Sequence, residues 1–202
     1  MFYFAHFTKG VDELIEEASF IDAIILHQLK GFSGVCIESR YDVRRFSDHL
    51  FHTFNIHFPS NLHSASVIRK SAFLAGRLSA KAGLHALGQP DQVVGIGPGG
   101  EPLWPTSVSG SISHTGKTAI CLVSHGNHRI GIDVEPFIPA TEVDEIKKFI
   151  LTDFECNYIE TTDNEKSQWT TILFSAKECL FKALYPEVNF YFDFLDAEVA
   201  NI

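Results

Sequence analysis

A chain of mixed helices and strands is predicted by three features of the 202-residue sequence: a long Ala/Leu-rich stretch, a Gly/Pro-rich break after it, and β-branched runs joined by Gly/Asn turns before helical periodicity returns. The stretch "RKSAFLAGRLSAKAGLHAL" starts at Arg69 and is followed by Gly88 and Pro90. Glycine accepts the left-handed backbone that closes a helix, and proline cannot continue one. Arg69, Arg77 and Lys81 lie on this predicted helix. "GIGPGGEPLWP", residues 95–105, is the clearest interruption and separates predicted helix from predicted sheet. Next, "SGSISH" leads through "TGK" to "TAICLVS", and "HGNH" leads to "RIGIDVE", a hairpin-like rhythm. After Pro139 the pattern is helical. "TDFE", Thr152 to Glu155, has the form of a capping box. In "SQWTTILFSAKECLFKALYP", Trp169, Ile172, Leu173, Ala176, Leu180 and Leu184 mark an apolar stripe, with Thr171, Ser175, Glu178 and Lys182 opposite.

A 45% hydrophobic content is enough for a core, and 16 basic against 25 acidic residues give a net charge of −9. That balance disfavours a broad electrostatic grip on DNA or RNA. Cys36, Cys121, Cys156 and Cys179 are far apart with no C-x-x-C pair, and "MFYFAHFTKG" lacks the basic, apolar, small-residue order of a secretory signal. No apolar run approaches the roughly 18 residues of a spanning helix. "FIDAIILHQL" is short and carries Asp22 and His27. A cytoplasmic location is expected.

Three constellations carry chemistry. Alternation in "RIGIDVE" places Ile130, Ile132 and Val134 on one strand face and Gly131, Asp133 and Glu135 on the other. A D-x-E of this kind is ordinarily a solvated face, but adjacent acids repel and aspartate is a poor strand former, so a divalent cation would relieve the pair. Glu178 and Lys182, four residues apart, are by themselves an ordinary surface pair worth about 0.3–0.5 kcal/mol. Beside the strand acids, Glu178 supplies a third oxygen ligand and Lys182 a cation, the equipment for holding a magnesium-bound pyrophosphate. The third constellation is "GSISHTG", with His114 between Ser113 and Thr115. A lone histidine is ordinarily structural, and without a G-x-S-x-G elbow a serine hydrolase is disfavoured.

"GSISHTG", "IGIDVEPF" and "FSAKECLFKALYP", in this order, resemble the three signature blocks of the surfactin-type 4'-phosphopantetheinyl transferases. "RKSAFLAGRLSA" and "EPLWPTSVSGSISH" are more similar to the enterobactin-synthase component D branch. The resemblance covers roughly residues 60–198 and implies transfer of the phosphopantetheine arm of coenzyme A to a serine of an acyl or peptidyl carrier protein, releasing adenosine 3',5'-bisphosphate. By the same resemblance, Asp133, Glu135 and Glu178 hold Mg2+, and Glu178, Lys182 and Asp133 are catalytic. Arg69, Arg77, Ser113, His114 and Lys182 bind the coenzyme, His114 and Arg69 at its 3'-phosphate. Glu155 lies where the family often has a glutamate, so a site role and the capping role both stand.

The fold that the resemblance implies is α+β, two similar α/β halves related by a pseudo-twofold, with the coenzyme cleft between them. The halves would be residues 1–115 on the adenosine side and 116–202 on the metal side, in a monomer that serves siderophore or other nonribosomal peptide biosynthesis. Two departures stand out. Gly100 occupies a position that is commonly basic, and the chain ends at Ile202 where relatives continue through further strands, which would leave a sheet edge near Phe190, Phe192 and Phe194. A metal-dependent phosphodiesterase or nuclease, and a non-catalytic carrier-protein-binding remnant, are the alternative functions.

Overall fold

The computed structural model describes residues 20–162 and 165–200. The segment "MFYFAHFTKG" and the terminal Ile202 lie outside them. The chain divides into two compact units, the first ending at Ile132 and the second beginning at Asp133.

The first unit is a four-stranded antiparallel sheet crossed by one long helix. Its strands are β1 (Ile21–His27), β2 (Val35–Tyr41), β5 (Val108–Thr115) and β6 (Thr118–His125), in the order β1-β2-β6-β5. A short helix α1 (Leu50–Thr53) and the two-residue strands β3 (Gly95–Ile96) and β4 (Pro102–Leu103) complete the elements used below. β5 and β6 form the hairpin predicted around "TGK", with Thr115 opposite Thr118. The boundary expected between residues 115 and 116 falls at its tip.

The long helix α2 (Val67–Ala86) starts where Ser66 accepts the Arg69 N–H, and its C-terminal turn closes at Gly88, φ +76°. Gly76 and Gly83 let it lie close on the sheet. A Cβ at Gly76 would stand 2.9 Å from Ile112 Cγ2, and one at Gly83 2.6 Å from Val123 Cγ1. Around this contact Ile37, Leu84, Cys121 and Val123 are fully buried, and toward the other end Phe20, Phe54 and Leu74 are as well. Each large side chain of this kind contributes about 1.5–3 kcal/mol.

"RIGIDVE" is not a strand, contrary to its alternation. Its neighbour is β5, but the link runs through serine hydroxyls: His128 N donates to Ser109 Oγ at 2.8 Å and Ile132 N to Ser111 Oγ at 3.1 Å. Two residues of β5 are thus matched to four of the segment, which no ladder register permits. Pro136 and Pro139 then remove two backbone donors and bias the residues before them, Glu135 and Ile138, toward extended backbone.

The second unit, as far as it is described, has no strand. Its helices are α3 (Val143–Ile150), α4 (Asp153–Glu160) and α5 (Lys166–Val188), around Ile150, Leu151, Ile159 and Leu173. The capping box is present: Thr152 caps α4 and Glu155 returns a carboxylate oxygen to the Thr152 N–H at 2.8 Å. The predicted stripe of α5 is misplaced. Thr170, Thr171, Leu173 and Lys177 are the buried positions, whereas Ile172 and Leu180 are exposed. Lys177 explains the shift, because its ammonium is fully coordinated within the core and so takes a position that patterning reserves for an apolar residue. The tail "FYFDFLDAEV" forms no sheet edge. Phe192 rests against Phe181 and Phe194 against Phe174, while Phe190 and Tyr191 are exposed. Among the described residues no helix is long and apolar enough to cross a membrane.

Candidate functional site

The acids of the second unit are brought together by an extended segment lying along a helix. Ile138 is clamped to α5 at both its backbone groups: its N–H donates to Thr171 Oγ1 at 2.9 Å and its carbonyl accepts from Ser167 Oγ at 2.6 Å. Five residues earlier, Asp133 meets Lys182, eleven residues further along α5. Five extended residues span about 16 Å and eleven helical residues about 16 Å, so the two rulers agree. Asp133 is therefore placed without the strand alternation read from the sequence, and the clamp at Ile138 helps to hold its segment against α5.

Lys182 Nζ donates to Asp133 Oδ1 at 2.6 Å, with the Asp133 side chain 1% and the Lys182 side chain 26% exposed. Glu178, one turn before Lys182, and Glu135 complete the group. Burial holds the Glu135 carboxyl above its ordinary range, Asp133 and Glu178 push it the same way, and Lys182 opposes them. Burial likewise raises Glu178, opposed by Lys182 and reinforced by Asp133. Three carboxylates in electrostatic reach of one another, two with raised proton affinity, are hard oxygen donors whose charge the Lys182 ammonium offsets only in part. In kind they fit a divalent cation such as Mg2+. Among the described residues no three potential ligands converge on one point, and the cation resting on Asp133 is the Lys182 ammonium.

α5 is held in its orientation by a feature the sequence reading missed. Lys177 Nζ, 3% exposed, donates to Glu155 Oε2 at 2.7 Å, to the Ile150 carbonyl at 2.8 Å and to the Phe194 carbonyl at 2.9 Å. Glu155, fully buried, also accepts from the N–H groups of Thr152 and Val199. One buried ion pair thus joins the end of α3, the start of α4, the middle of α5 and the C-terminal tail. Of the two roles open to Glu155, capping is the one seen. The signal in the sequence was only a lysine beside Glu178, and its partner is 22 residues away.

In the first unit, Arg69 is exposed in the first turn of α2, while Ser113 is buried and His114 half-buried near the end of β5. A Cβ at Gly76 would stand 4.0 Å from His114 Cδ2, so α2 passes beside the imidazole. Arg69, seven residues before Gly76, shares that helix face. Arg77 turns elsewhere. Its guanidinium, 7% exposed, donates to the carbonyls of Val94 and Gly95 at 3.2 and 2.9 Å and stacks on Phe73, and burial lowers its pKa to about 10.

Gly100 sits in the turn between β3 and β4 at φ +88°, with open space where a Cβ would point. A side chain meets no obstacle there, but an L-residue strains the backbone. Gly100→Arg is expected to lower stability by about 1 kcal/mol. A denaturation midpoint equal to that of the parent chain would show that the turn adopts another conformation at no cost.

Comparison with known proteins bears on the whole arrangement. Residues 58–124 match the family model of the 4'-phosphopantetheinyl transferase N-terminal domain, and residues 129–202 that of the 4'-phosphopantetheinyl transferase superfamily. The enterobactin synthase component D of Escherichia coli strain K12 is 36% identical over 142 residues, covering 70% of this chain and 66% of the relative. That of Salmonella typhi is 34% identical over 128 residues, covering 63% and 53%. The 4'-phosphopantetheinyl transferase Npt of Nocardia iowensis is 32% identical over 133 residues, covering 65% and 59%. The chain spans between about half and two thirds of the length of these relatives.

Proposed function

The chain belongs to the 4'-phosphopantetheinyl transferase superfamily, and from that premise we propose that it transfers the 4'-phosphopantetheine arm of coenzyme A to a serine hydroxyl of an acyl or peptidyl carrier protein. In this reaction the serine oxygen forms the new bond to phosphorus, the pyrophosphate P–O bond breaks, and adenosine 3',5'-bisphosphate leaves. The observation that supports the reading most directly is the Asp133–Lys182 contact beside Glu135 and Glu178, a site carrying both charge signs. Mg2+ held by Asp133, Glu135 and Glu178 would supply charge neutralisation at the pyrophosphate.

The protein's own groups do the rest. Lys182 counters the charge that grows on the departing bisphosphate, and Asp133 orients that ammonium. Glu178, with its raised proton affinity, serves as a ligand and, directly or through water, as acceptor of the serine proton. Arg69, His114 and Ser113 would receive the 3'-phosphate beside the face of α2 that Arg69 shares with Gly76. Arg77 supports the neighbouring loop from within. The pseudo-twofold and coenzyme cleft of the family are part of this reading, as are a cytoplasmic monomer and service to siderophore or nonribosomal peptide synthesis.

The test is incubation with coenzyme A, Mg2+ and a panel of carrier proteins, followed by mass spectrometry. The expected result is a gain of one phosphopantetheine arm on the carrier serine. Cleavage of a phosphodiester with no gain on any carrier would establish a metal-dependent phosphodiesterase instead. Coenzyme A binding without turnover would leave a carrier-binding remnant.

A further inference from the structure

The first unit contains a pocket of about 560 Å³ on a flank of α2, away from His114. That volume is in the range of sites for drug-sized ligands, roughly 300–1,000 Å³. Its floor is Phe73, Arg77, Lys81 and Leu84 of α2. One wall is residues 55–57, following α1, and the other is residues 90–96, leading into β3.

Apart from the exposed Asn55, His57, Asp91 and Gln92, the lining is apolar except for two cations one helical turn apart, and among the described residues neither has a counter-ion. Arg77 bonds the Val94 and Gly95 carbonyls, and Lys81 Nζ donates to the Phe54 carbonyl at 2.9 Å. Among the described residues no carboxylate lies within ion-pair distance of either. Asp91, also part of the lining, is exposed and pairs with neither of them. His57 is the other titratable group facing the pocket, and it adds no negative charge. Burial alone depresses the pKa of Lys81 and is the main cause of the depression at Arg77. Carbonyl oxygens satisfy hydrogen bonds but do not neutralise two partly desolvated positive charges.

We propose that this pocket is a binding site for a small amphiphile with a single anionic head, a carboxylate or a phosphate monoester. Its apolar body lies against Ile56, Phe73, Leu84 and Val94, and its head sits between Arg77 and Lys81. The site shares Arg77 with the transferase reading, in which Lys81 and the rest of the pocket lining take no part. Failure of the mass-spectrometric assay above would leave the pocket untouched.

The experiment measures displacement of anilinonaphthalene sulfonate from the full chain by octanoate, octyl phosphate and octanamide, which share a tail and differ in the head. Both anions are expected to displace the dye at concentrations at least tenfold below those of octanamide, and their order identifies the preferred head. Lys81→Met should erase the advantage of the anions over the amide. Lys81→Arg, which keeps the charge, should retain it and guards against a folding defect in the first variant. Ile56→Trp, which fills the cavity, should abolish binding of all three. Equal displacement by amide and anions, retention of the anion preference in folded Lys81→Met, or no displacement at all would each overturn the proposal. Displacement of the dye by coenzyme A would overturn it too, by making the pocket part of the coenzyme site.

Discussion

Lys177→Ala should cost the second unit about 3–5 kcal/mol, the range for breaking a buried ion pair by removing one partner. The loss is large because the lysine does several things at once. Without it, the fully buried Glu155 carboxylate keeps only the N–H groups of Thr152 and Val199, and the Ile150 and Phe194 carbonyls lose a charged donor. Lys177→Met restores volume but not charge, so it should be nearly as damaging. The double variant Lys177→Met, Glu155→Gln should regain part of the loss, because no uncompensated charge remains inside. Chemical denaturation with a probe in the second unit, such as Trp169, reads the effect. A shift below about 1 kcal/mol for Lys177→Ala would mean that the pair is not what fixes α5.

Asp133→Asn and Glu178→Gln should each reduce transfer by three orders of magnitude or more, and they should part company in stability. Magnesium-dependent phosphoryl transfer relies on charge and positioning, so an amide at either place removes what the site supplies. Asp133 is the carboxylate against which Lys182 rests, and its side chain is almost wholly buried. Asp133→Asn should therefore lower stability by about 1–2 kcal/mol, discounted because the lysine is a quarter exposed. Glu178 is destabilised by burial and by Asp133, so Glu178→Gln should unfold no earlier than the parent chain in metal-free buffer. Acid crowding alone would give both variants the same sign. Near-parental turnover of either at saturating Mg2+ would remove the proposed site.

Much of this could be read from residue order, and what could not has physical causes. Helix α2, the β5–β6 hairpin and the α4 capping box follow from short-range signals: an N-cap, a Gly stop, a turn, a Thr paired with a Glu three residues on. The association of Asp133, Glu135, Glu178 and Lys182 was also legible, but for a reason that does not hold. Alternation implied a strand, whereas Ser109 and Ser111 take the N–H groups of His128 and Ile132 and cancel any ladder. β1 and β2 went unread because β1 is held by β2, and β2 in turn by β6 some eighty residues further on, beyond the reach of local pattern. Lys177 was invisible because a cation earns a core position only through its partners, and Glu155, Ile150 and Phe194 come from three separate stretches.

The clamp at Ile138 also bears on how such a chain can change over generations. An extended residue advances about 3.3 Å and a helical one 1.5 Å, so losing one residue between Asp133 and Ile138 would need about two removed from α5 to restore the distance. Removing two turns the helix by about 200° and carries Lys182 to the opposite side. Neither deletion repairs the other. Substitutions between the acids and the clamp can accumulate, with Phe137 already exposed, while insertions and deletions there have no compensating partner. The spacing should outlast the spelling.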